Sequence, residues 1–193
     1  MHELRIEVER VDGTCTGPVP MTLGRGFSVR NGCLVFRGGG PICLFALQSI
    51  LPMIPAKERL ADGDPAADWI GRVQHVQCPD PDGGVVWRIE QDSAIEEPGS
   101  YDPPAPEPGD LLIEVERIDG RCVEGTQVGD RVLVRESSIY LAQPFCLYAL
   151  AAVLPILPAK ERARDGGDWM FGTNHVACPD PLGKVILRIE TVT

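Results

Sequence analysis

One long stretch of this chain occurs twice, and the repetition constrains the fold more than any other feature. Residues 41–59 read PICLFALQSILPMIPAKER, and residues 144–162 read PFCLYALAAVLPILPAKER. With the matching blocks on either side, 35 of 56 aligned positions are identical. Identity at this level within one chain indicates an internal duplication, so the two halves should share one fold.

The duplication divides the chain into two halves and a connecting segment. Residues 1–91 form the first repeat, and residues 111–193 form the second. Residues 92–110 are rich in Pro and acidic side chains and contain no Lys or Arg, which predicts an extended linker. A half of this size alone buries only about 60–65% of its unfolded surface. We therefore expect the halves to pack on each other as a pseudo-twofold unit, within a larger homo-oligomer.

Short apolar segments predict five strands around one main helix in each half. In residues 4–8, apolar side chains alternate with charged ones, which is the period of a half-buried strand. The Asn-Gly pair at 31–32 lies between two apolar segments and predicts a tight hairpin. Two more strands are predicted at 73–78 and 85–90. The order is β-β-β-α-β-β, so the predicted fold class is α+β with two tandem repeats.

The repeated stretch supplies the main helix. Leu44, Leu47 and Ile50 recur at helical spacing and form one apolar face. Pro52 should end or kink this helix, and a second short helix is predicted at 56–60. The Lys-Glu-Arg triplet that ends each repeated stretch is interpreted as a solvated face or as salt links between the repeats.

Charge and hydropathy narrow the classes of partner. Of the net charge of −10, the linker contributes −6, so each half is nearly neutral and has no basic stripe. We therefore expect neither nucleic acid nor an anionic membrane as a partner. No apolar run reaches the ~20 residues that span a bilayer, and the N-terminus passes directly into a strand pattern. These features favour a cytoplasmic protein with reduced thiols.

Three cysteines recur at equivalent positions in the two halves and are the main candidates for chemistry. One reading of three recurrent thiols is a thiolate metal site in each half, although their separations lack the close ligand pairs of zinc fingers. Another is that the thiols are packed as small hydrophobes, and a third is that they carry redox or catalytic chemistry. The recurrent pairs are Cys15 and Cys122, Cys43 and Cys146, and Cys78 and Cys178.

Histidines recur beside the third cysteine of each half, as His-x-x-Cys. His75 and Cys78 are an odd number of residues apart, so a regular strand would direct them to opposite faces. Cys78 should share the apolar face, whereas His75 and His175 should be exposed or hydrogen-bonded strand residues.

Cys43 and Cys146 are the strongest candidates for chemistry. Each precedes a predicted helix, where the macrodipole and the unpaired amides should lower the thiol pKa and favour a ligand or a nucleophile. No histidine adjacent in sequence offers a general base, and burial would act in the opposite direction.

Two further candidates concern ligand binding. Arg37, Gly38, Gly39 and Gly40 could cradle an anion at the start of the first helix, although the second half lacks this motif and a flexible loop is the simpler interpretation. Trp69 and Trp169 should begin the last β segment of each half, as core or interface anchors rather than as rings that stack on a ligand. These six residues, four in the glycine-rich segment and two tryptophans, are the further candidates for ligand binding.

Several motifs together resemble an uncharacterised bacterial family of small three-cysteine proteins, usually with one domain per chain. They are Gly-x-Cys at 13–15 and 120–122, the helix opening Cys-Leu-x-Ala-Leu, and Cys-Pro-Asp-Pro at 78–81 and 178–181. Members often carry Gly-His after the first cysteine, and this chain does not, which weakens a metal site that needs that histidine. The resemblance implies a shared fold and no assigned activity.

Three functions fit this sequence. The first is a small binding protein that holds a metal or a small ligand through the recurrent cysteines. The second is an enzyme or redox protein that uses Cys43 or Cys146. The third is a structural or partner-binding module in which the cysteines are only packed in the core.

Overall fold

The structure is a computed structural model that describes residues 2–36, 40–60, 68–92, 101–163 and 165–193. Within these ranges, the chain forms twelve strands and six short helices, which confirms the α+β class. In the first half the elements are β1 (Glu3–Val11), β2 (Gly26–Arg30), β3 (Cys33–Phe36), β4 (Ile42–Cys43), α1 (Leu44–Ile50), α2 (Ile54–Lys57), α3 (Trp69–Arg72), β5 (His75–Gln77) and β6 (Val85–Asp92).

The second half has its own series of elements. In chain order they are β7 (Leu111–Ile118), β8 (Arg131–Arg135), β9 (Ser138–Tyr140), β10 (Phe145–Cys146), α4 (Leu147–Val153), α5 (Leu157–Lys160), α6 (Trp169–Gly172), β11 (His175–Ala177) and β12 (Val185–Thr191). Among the described residues, no helix has the length and apolar character needed to cross a membrane.

The strands form two antiparallel six-stranded sheets that exchange one strand each. The first sheet has the order β10-β3-β2-β1-β6-β5, and the second has the order β11-β12-β7-β8-β9-β4. Strand β10 of the second half thus pairs with β3 of the first, and β4 pairs with β9. The sequence predicted five strands per half, and it missed both exchanged strands because two residues are too short to show a period.

Backbone hydrogen bonds also join the start of each main helix to the other half. The Leu44 amide at the start of α1 donates to the Ser137 carbonyl at 2.9 Å, and the Leu147 amide donates to the Gly32 carbonyl at 2.8 Å. Each main helix therefore begins on the hairpin turn of the other half. The apolar faces of α1 and α4 and the inner faces of both sheets belong to one continuous buried cluster.

The two hairpin turns at this junction have left-handed backbone. In the predicted Asn-Gly turn, Asn31 has φ of 50° and Gly32 has φ of 72°. The equivalent turn has Glu136 at 48° and Ser137 at 56°, a conformation that costs L-residues about 1–2 kcal/mol each. A carboxylate from the Lys-Glu-Arg triplet holds each turn, because the amides of Gly32 and Ser137 donate to Glu58 and Glu161.

These contacts correct the interpretation of the Lys-Glu-Arg triplets as a solvated face. Lys57 and Lys160 are each 5% exposed, and Glu58 is fully buried. The Lys160 ammonium donates to the carbonyls of Met170 and Phe171. Only the arginines of the triplets stay largely exposed, so the triplets fix loops and turns inside the fold.

The segments after the main helices also differ from prediction. The second short helix occupies Ile54–Lys57 rather than residues 56–60. Trp69 and Trp169 begin one-turn helices capped by Asp68 and Asp168, not a β segment. Both tryptophans are exposed, at 59% and 69%, so neither is a core anchor.

The described part of the linker, from residue 101 onward, contacts residues of both halves. The Tyr101 ring lies 6.2 Å from the Phe36 ring between centroids. Arg135 donates to the Ala105 carbonyl and pairs with the Asp110 carboxylate at 2.7 Å. The acidic residues of the linker therefore include one that is engaged by the second half.

Candidate functional site

Three cysteines that are far apart in sequence meet at one cavity in the first half. Cys15 follows the turn after β1, Cys43 ends β4, and Cys78 follows β5. All three line a cavity of about 620 Å³, here called the first pocket. The apolar residues Pro18, Met21, Phe45 and Ala46 also line it.

The second half contributes to the same cavity. Because β4 crosses to the second sheet, the first pocket is also lined by Glu136 and Ser137 of the turn before β9. Glu161 and Arg162 of the second Lys-Glu-Arg triplet reach it as well. Glu161 and Arg162 recur with Cys146 in the repeated stretch, but their sequence positions do not show that they reach a cavity lined by the cysteines of the other half.

A second pocket of about 350 Å³ lies at the equivalent place in the second half. Cys122, Cys146 and Cys178 line it, together with Arg59 from the first half. The Arg59 guanidinium lies 5.9 Å from the centroid of the Tyr148 ring, within the range of a cation–π contact. Each pocket therefore takes three thiols from one half and an arginine from the other.

The Cys-Pro-Asp-Pro motif forms the turn that carries the third thiol. The Asp80 carboxylate accepts hydrogen bonds from the amide and hydroxyl of Thr16, and these donors lower its pKa. The turn also passes very close to the loop of the first cysteine, where a Cβ on Gly13 would lie 2.0 Å from the Asp82 carbonyl oxygen. This close approach explains the glycine of Gly-x-Cys and fixes Cys15 relative to Cys78.

At the start of each main helix, burial outweighs the helix amides in its effect on the thiol pKa, contrary to the lowering expected there. Burial raises the pKa of Cys43 and Cys146, which are 7% and 4% exposed. The amides of the following helical turn act in the opposite direction but more weakly, and neither helix has a side-chain cap hydrogen bond. Burial likewise raises the pKa of Cys78 and Cys178.

The seventh cysteine lies beside one recurrent cysteine of the second pocket, and the sequence pattern did not place it there. Cys33 in β3 is the direct register partner of Cys146 in β10. Its thiol donates to the Glu124 carbonyl at 3.3 Å, and burial raises its pKa to about 12. The equivalent partner of Cys43 is Ser138. Aligning the two hairpins pairs Cys33 with Ser138, but only the strand exchange brings each of them to a recurrent cysteine.

A metal centre finds no support in the side-chain arrangement. Across the described ranges, no group of three or more His, Cys, Asp or Glu side chains is placed to hold a metal ion. The three recurrent cysteines of each half line the same cavity, but their thiols do not converge on one point as metal ligands do. Neutral thiols would also have to lose protons before they could ligate.

The other candidates among the described residues lie apart from the pockets. His75 and His175 are exposed and pair with Glu9 at 2.8 Å and Glu116 at 3.3 Å, as their strand positions predicted. Trp69 and Trp169 do not line either cavity. Arg37, Gly38 and Gly39 lie outside the described residues, and Gly40 is a buried glycine with φ of 76° near Tyr101.

Comparison with known proteins leaves the site to be interpreted from its own chemistry. No protein-family model, no curated protein and no solved structure matches the chain. The class that fold and site define is thus an α+β protein with two thiol-lined cavities.

Proposed function

We propose that this protein is a non-catalytic binding protein that takes a small, largely apolar ligand into the first pocket and the second pocket. The observation that carries the proposal is the meeting of three recurrent thiols, from distant segments, at one cavity in each half. Cavities of about 620 and 350 Å³ fall within the range of small-molecule sites.

The lining supports an apolar and polarisable ligand. Neutral thiols behave as soft hydrophobic surface, and Met21 and Phe45 extend that surface in the first pocket. Two carboxylates of the first pocket are already engaged, since Asp80 accepts from Thr16 and Glu161 accepts from Ser137. A ligand would therefore gain most from apolar contact and little from a new ion pair with these groups.

The pairing of the halves fits this function. We propose that they are duplicated units related by a pseudo-twofold axis, each completing the other's pocket. The same order of elements and the matched register of Cys43 with Ser138 and Cys146 with Cys33 support this relation. One half alone would lack the turn and the arginine that the other supplies.

The enzyme alternative and the metal alternative each have a direct test. A nucleophilic Cys43 or Cys146 requires a lowered pKa, so its alkylation in the native protein should proceed at neutral pH, whereas buried thiols should react only on unfolding. Elemental analysis of anaerobically purified protein tests for a metal, with Cys43→Ser and Cys146→Ser as controls.

A titration with small apolar fragments, followed by NMR of the amides, tests the binding proposal. Shifts are expected at the amides of Cys15, Cys43 and Cys78 for the first pocket. Cys15→Phe should fill that pocket and abolish those shifts alone, and the matched Cys122→Phe should do the same in the second pocket. Both cysteines are partly exposed, so the larger ring can be accommodated at the rim.

Two results would overturn the proposal. One is that no fragment of a chemically diverse apolar set shifts any pocket amide in the folded wild-type protein. The other is that fragments bind equally well to the double variant Cys15→Phe/Cys122→Phe, which would place binding elsewhere. Serine substitutions that cost stability alone would then favour the structural module.

A further inference from the structure

Cys33 and Cys146 face each other across the junction of the two halves. They are register partners in the antiparallel pairing of β3 with β10. The neighbouring Leu147 amide donates to the Gly32 carbonyl, whereas the Gly32 amide donates to Glu58, so 147 and 32 occupy a hydrogen-bonded position of the ladder through one bond. Since the two kinds of pair alternate, Cys33 and Cys146 form a non-hydrogen-bonded pair, with Cα atoms ~4.5 Å apart and side chains on one face.

We propose that Cys33 and Cys146 form a disulfide bond between the two halves when the protein meets a small-molecule disulfide as oxidant. Disulfides span Cα separations of roughly 4.4–6.8 Å, a range that includes the separation of a non-hydrogen-bonded pair. The Cys33 thiol has to leave the Glu124 carbonyl, which it now contacts at 3.3 Å, and turn toward Cys146. No backbone rearrangement is required.

The reaction balances as thiol–disulfide exchange. One protein thiol, as its thiolate, attacks a sulfur of the oxidant, forms a mixed disulfide and releases one small thiol. The second protein thiol then attacks the mixed disulfide and releases the other small thiol. The protein loses two protons and two electrons, and the oxidant gains both to become two thiols. Burial raises the pKa of both cysteines, so this exchange is slow at neutral pH.

The bond would act on the second pocket and on the pairing of the halves. Cys146 lines the second pocket, so oxidation converts one of its neutral thiols into a disulfide sulfur. It also closes a covalent link between β3 of one half and the residue that precedes α4 of the other. The proposal does not depend on either pocket binding a ligand.

The first pocket supplies a matched control. Ser138 occupies the position of Cys33 and is the register partner of Cys43. Within the described residues the Ser138 hydroxyl has no hydrogen-bond partner, so Ser138→Cys removes no interaction. Wild-type protein should form one link between the halves, and Ser138→Cys should form a second, between positions 43 and 138.

Peptide mapping of the full chain tests the proposal. The folded protein is incubated with oxidised glutathione, remaining thiols are blocked with iodoacetamide, and the chain is digested with trypsin without reduction. Cys33 is the one cysteine of tryptic peptide 31–37, and Cys146 is the one cysteine of peptide 136–160. A joined species of these two peptides that separates on reduction is the expected result.

Variants make the assignment specific. Cys33→Ser and Cys146→Ser should each abolish the joined species, and the Cys33→Ser hydroxyl can still donate to the Glu124 carbonyl, which favours a native fold. Near-ultraviolet circular dichroism verifies folding. The proposal is overturned if, in folded and oxidised wild-type protein, Cys33 and Cys146 are recovered alkylated, joined to glutathione, or joined to Cys122 or Cys178.

Discussion

The two hairpin turns at the junction perform the same task with different residues. At the first pocket, the turn residue is Ser137, and Glu161 accepts hydrogen bonds from its amide at 2.8 Å and from its hydroxyl at 2.8 Å. At the second pocket, the turn residue is Gly32, and Glu58 accepts from its amide at 3.0 Å. The second carboxylate oxygen of Glu58 has no hydrogen-bond partner among the described residues, and the Arg59 guanidinium lies 3.9 Å from it.

The comparison of the two turns shows which features the junction requires and which can vary. It requires a left-handed residue at the turn and a carboxylate to receive its amide. It tolerates either glycine, which adopts positive φ without strain, or serine, whose strain is offset by a second hydrogen bond. The neighbouring position then varies between Ser138 and Cys33, so Cys43 faces a hydroxyl across its strand pair whereas Cys146 faces a thiol.

The largest effect is expected where the strand exchange is cut. Phe145 is 1% exposed and pairs with Leu34 of the other half, so Phe145→Ala should lower the free energy of unfolding by about 3–5 kcal/mol. The matched Ile42→Ala, in the other exchanged strand, should cost about 2–5 kcal/mol. Denaturant unfolding followed by circular dichroism measures both.

The same measurement tests whether the exchange couples the halves. Because each exchanged strand belongs to one half and pairs with the sheet of the other, both halves should unfold in a single transition. Two separate transitions in the wild-type protein would contradict the coupling. So would a loss below ~1 kcal/mol in either variant, since a buried aromatic or aliphatic side chain costs more than that to remove.

A smaller effect should distinguish the two carboxylates. Glu161→Gln weakens two charge-assisted hydrogen bonds to Ser137 and should cost about 1–2 kcal/mol at neutral pH. Glu58→Gln keeps an acceptor for the Gly32 amide and removes a buried charge, so its cost should be within about 0.5 kcal/mol of zero. Chemical denaturation of both variants gives the comparison.

The pH dependence of Glu58→Gln provides the control. Burial raises the pKa of Glu58, so the wild-type protein loses stability as the pH rises from below the ordinary value of 4.5 through the raised folded value. The glutamine variant has no such loss. The stability of Glu58→Gln relative to wild type should therefore improve from acidic to neutral pH, and an unchanged difference would show that Glu58 is not destabilised by its burial.

The sequence predicted the elements of this fold that are marked by a local residue pattern, such as alternation, helical spacing or a turn dipeptide. Alternation in residues 4–8 and the spacing of Leu44, Leu47 and Ile50 specified β1 and α1, and the Asn-Gly pair specified the β2–β3 turn. These are local patterns, and the repetition of the chain shows the strand and helix patterns twice, whereas the Asn-Gly pair occurs only in the first half. The strand parity that separated His75 from Cys78 is of the same kind.

What the sequence could not show is which half each segment joins. Ile42 and Cys43 read as the approach to a helix, and only the register with β9 makes them a strand of the other sheet. That crossing decides which residues complete each pocket, so the sequence, which predicted a solvated face or links between the repeats for Arg59 and Arg162, did not place them at the cavities. The sequence also left open which of two opposing effects sets the pKa of Cys43, since the helix dipole is a local property and burial, which raises the pKa here, is a tertiary one.

A further difference between the two hairpins should appear at alkaline pH. The folded pKa of Cys33, about 12, lies above the ordinary thiol value of 9.0, so its contribution to stability is complete below pH 9 and is lost as the pH rises toward 12. Cys33→Ser should therefore be nearly as stable as wild type at pH 7 and should lose less stability between pH 9 and 11. Urea unfolding midpoints of both proteins across that range measure the change.

Ser138→Ala is the matched control for that experiment. Its hydroxyl does not titrate in this range, so the alkaline loss of stability should equal that of wild type. An identical alkaline slope in Cys33→Ser and wild type would show that the thiol of Cys33 is not shielded by the fold.

The smallest effect is expected at the exposed tryptophans. Trp169 is 69% exposed and Trp69 is 59% exposed, and neither lines a pocket, so Trp169→Ala and Trp69→Ala should each change the free energy of unfolding by less than about 0.5 kcal/mol. Fragment binding measured by NMR should also be unchanged in both variants, whereas Cys15→Phe loses it in the first pocket. Loss of binding in Trp69→Ala would instead place the ligand on that ring, and the comparison of the two pockets would then describe a structural junction rather than a pair of binding sites.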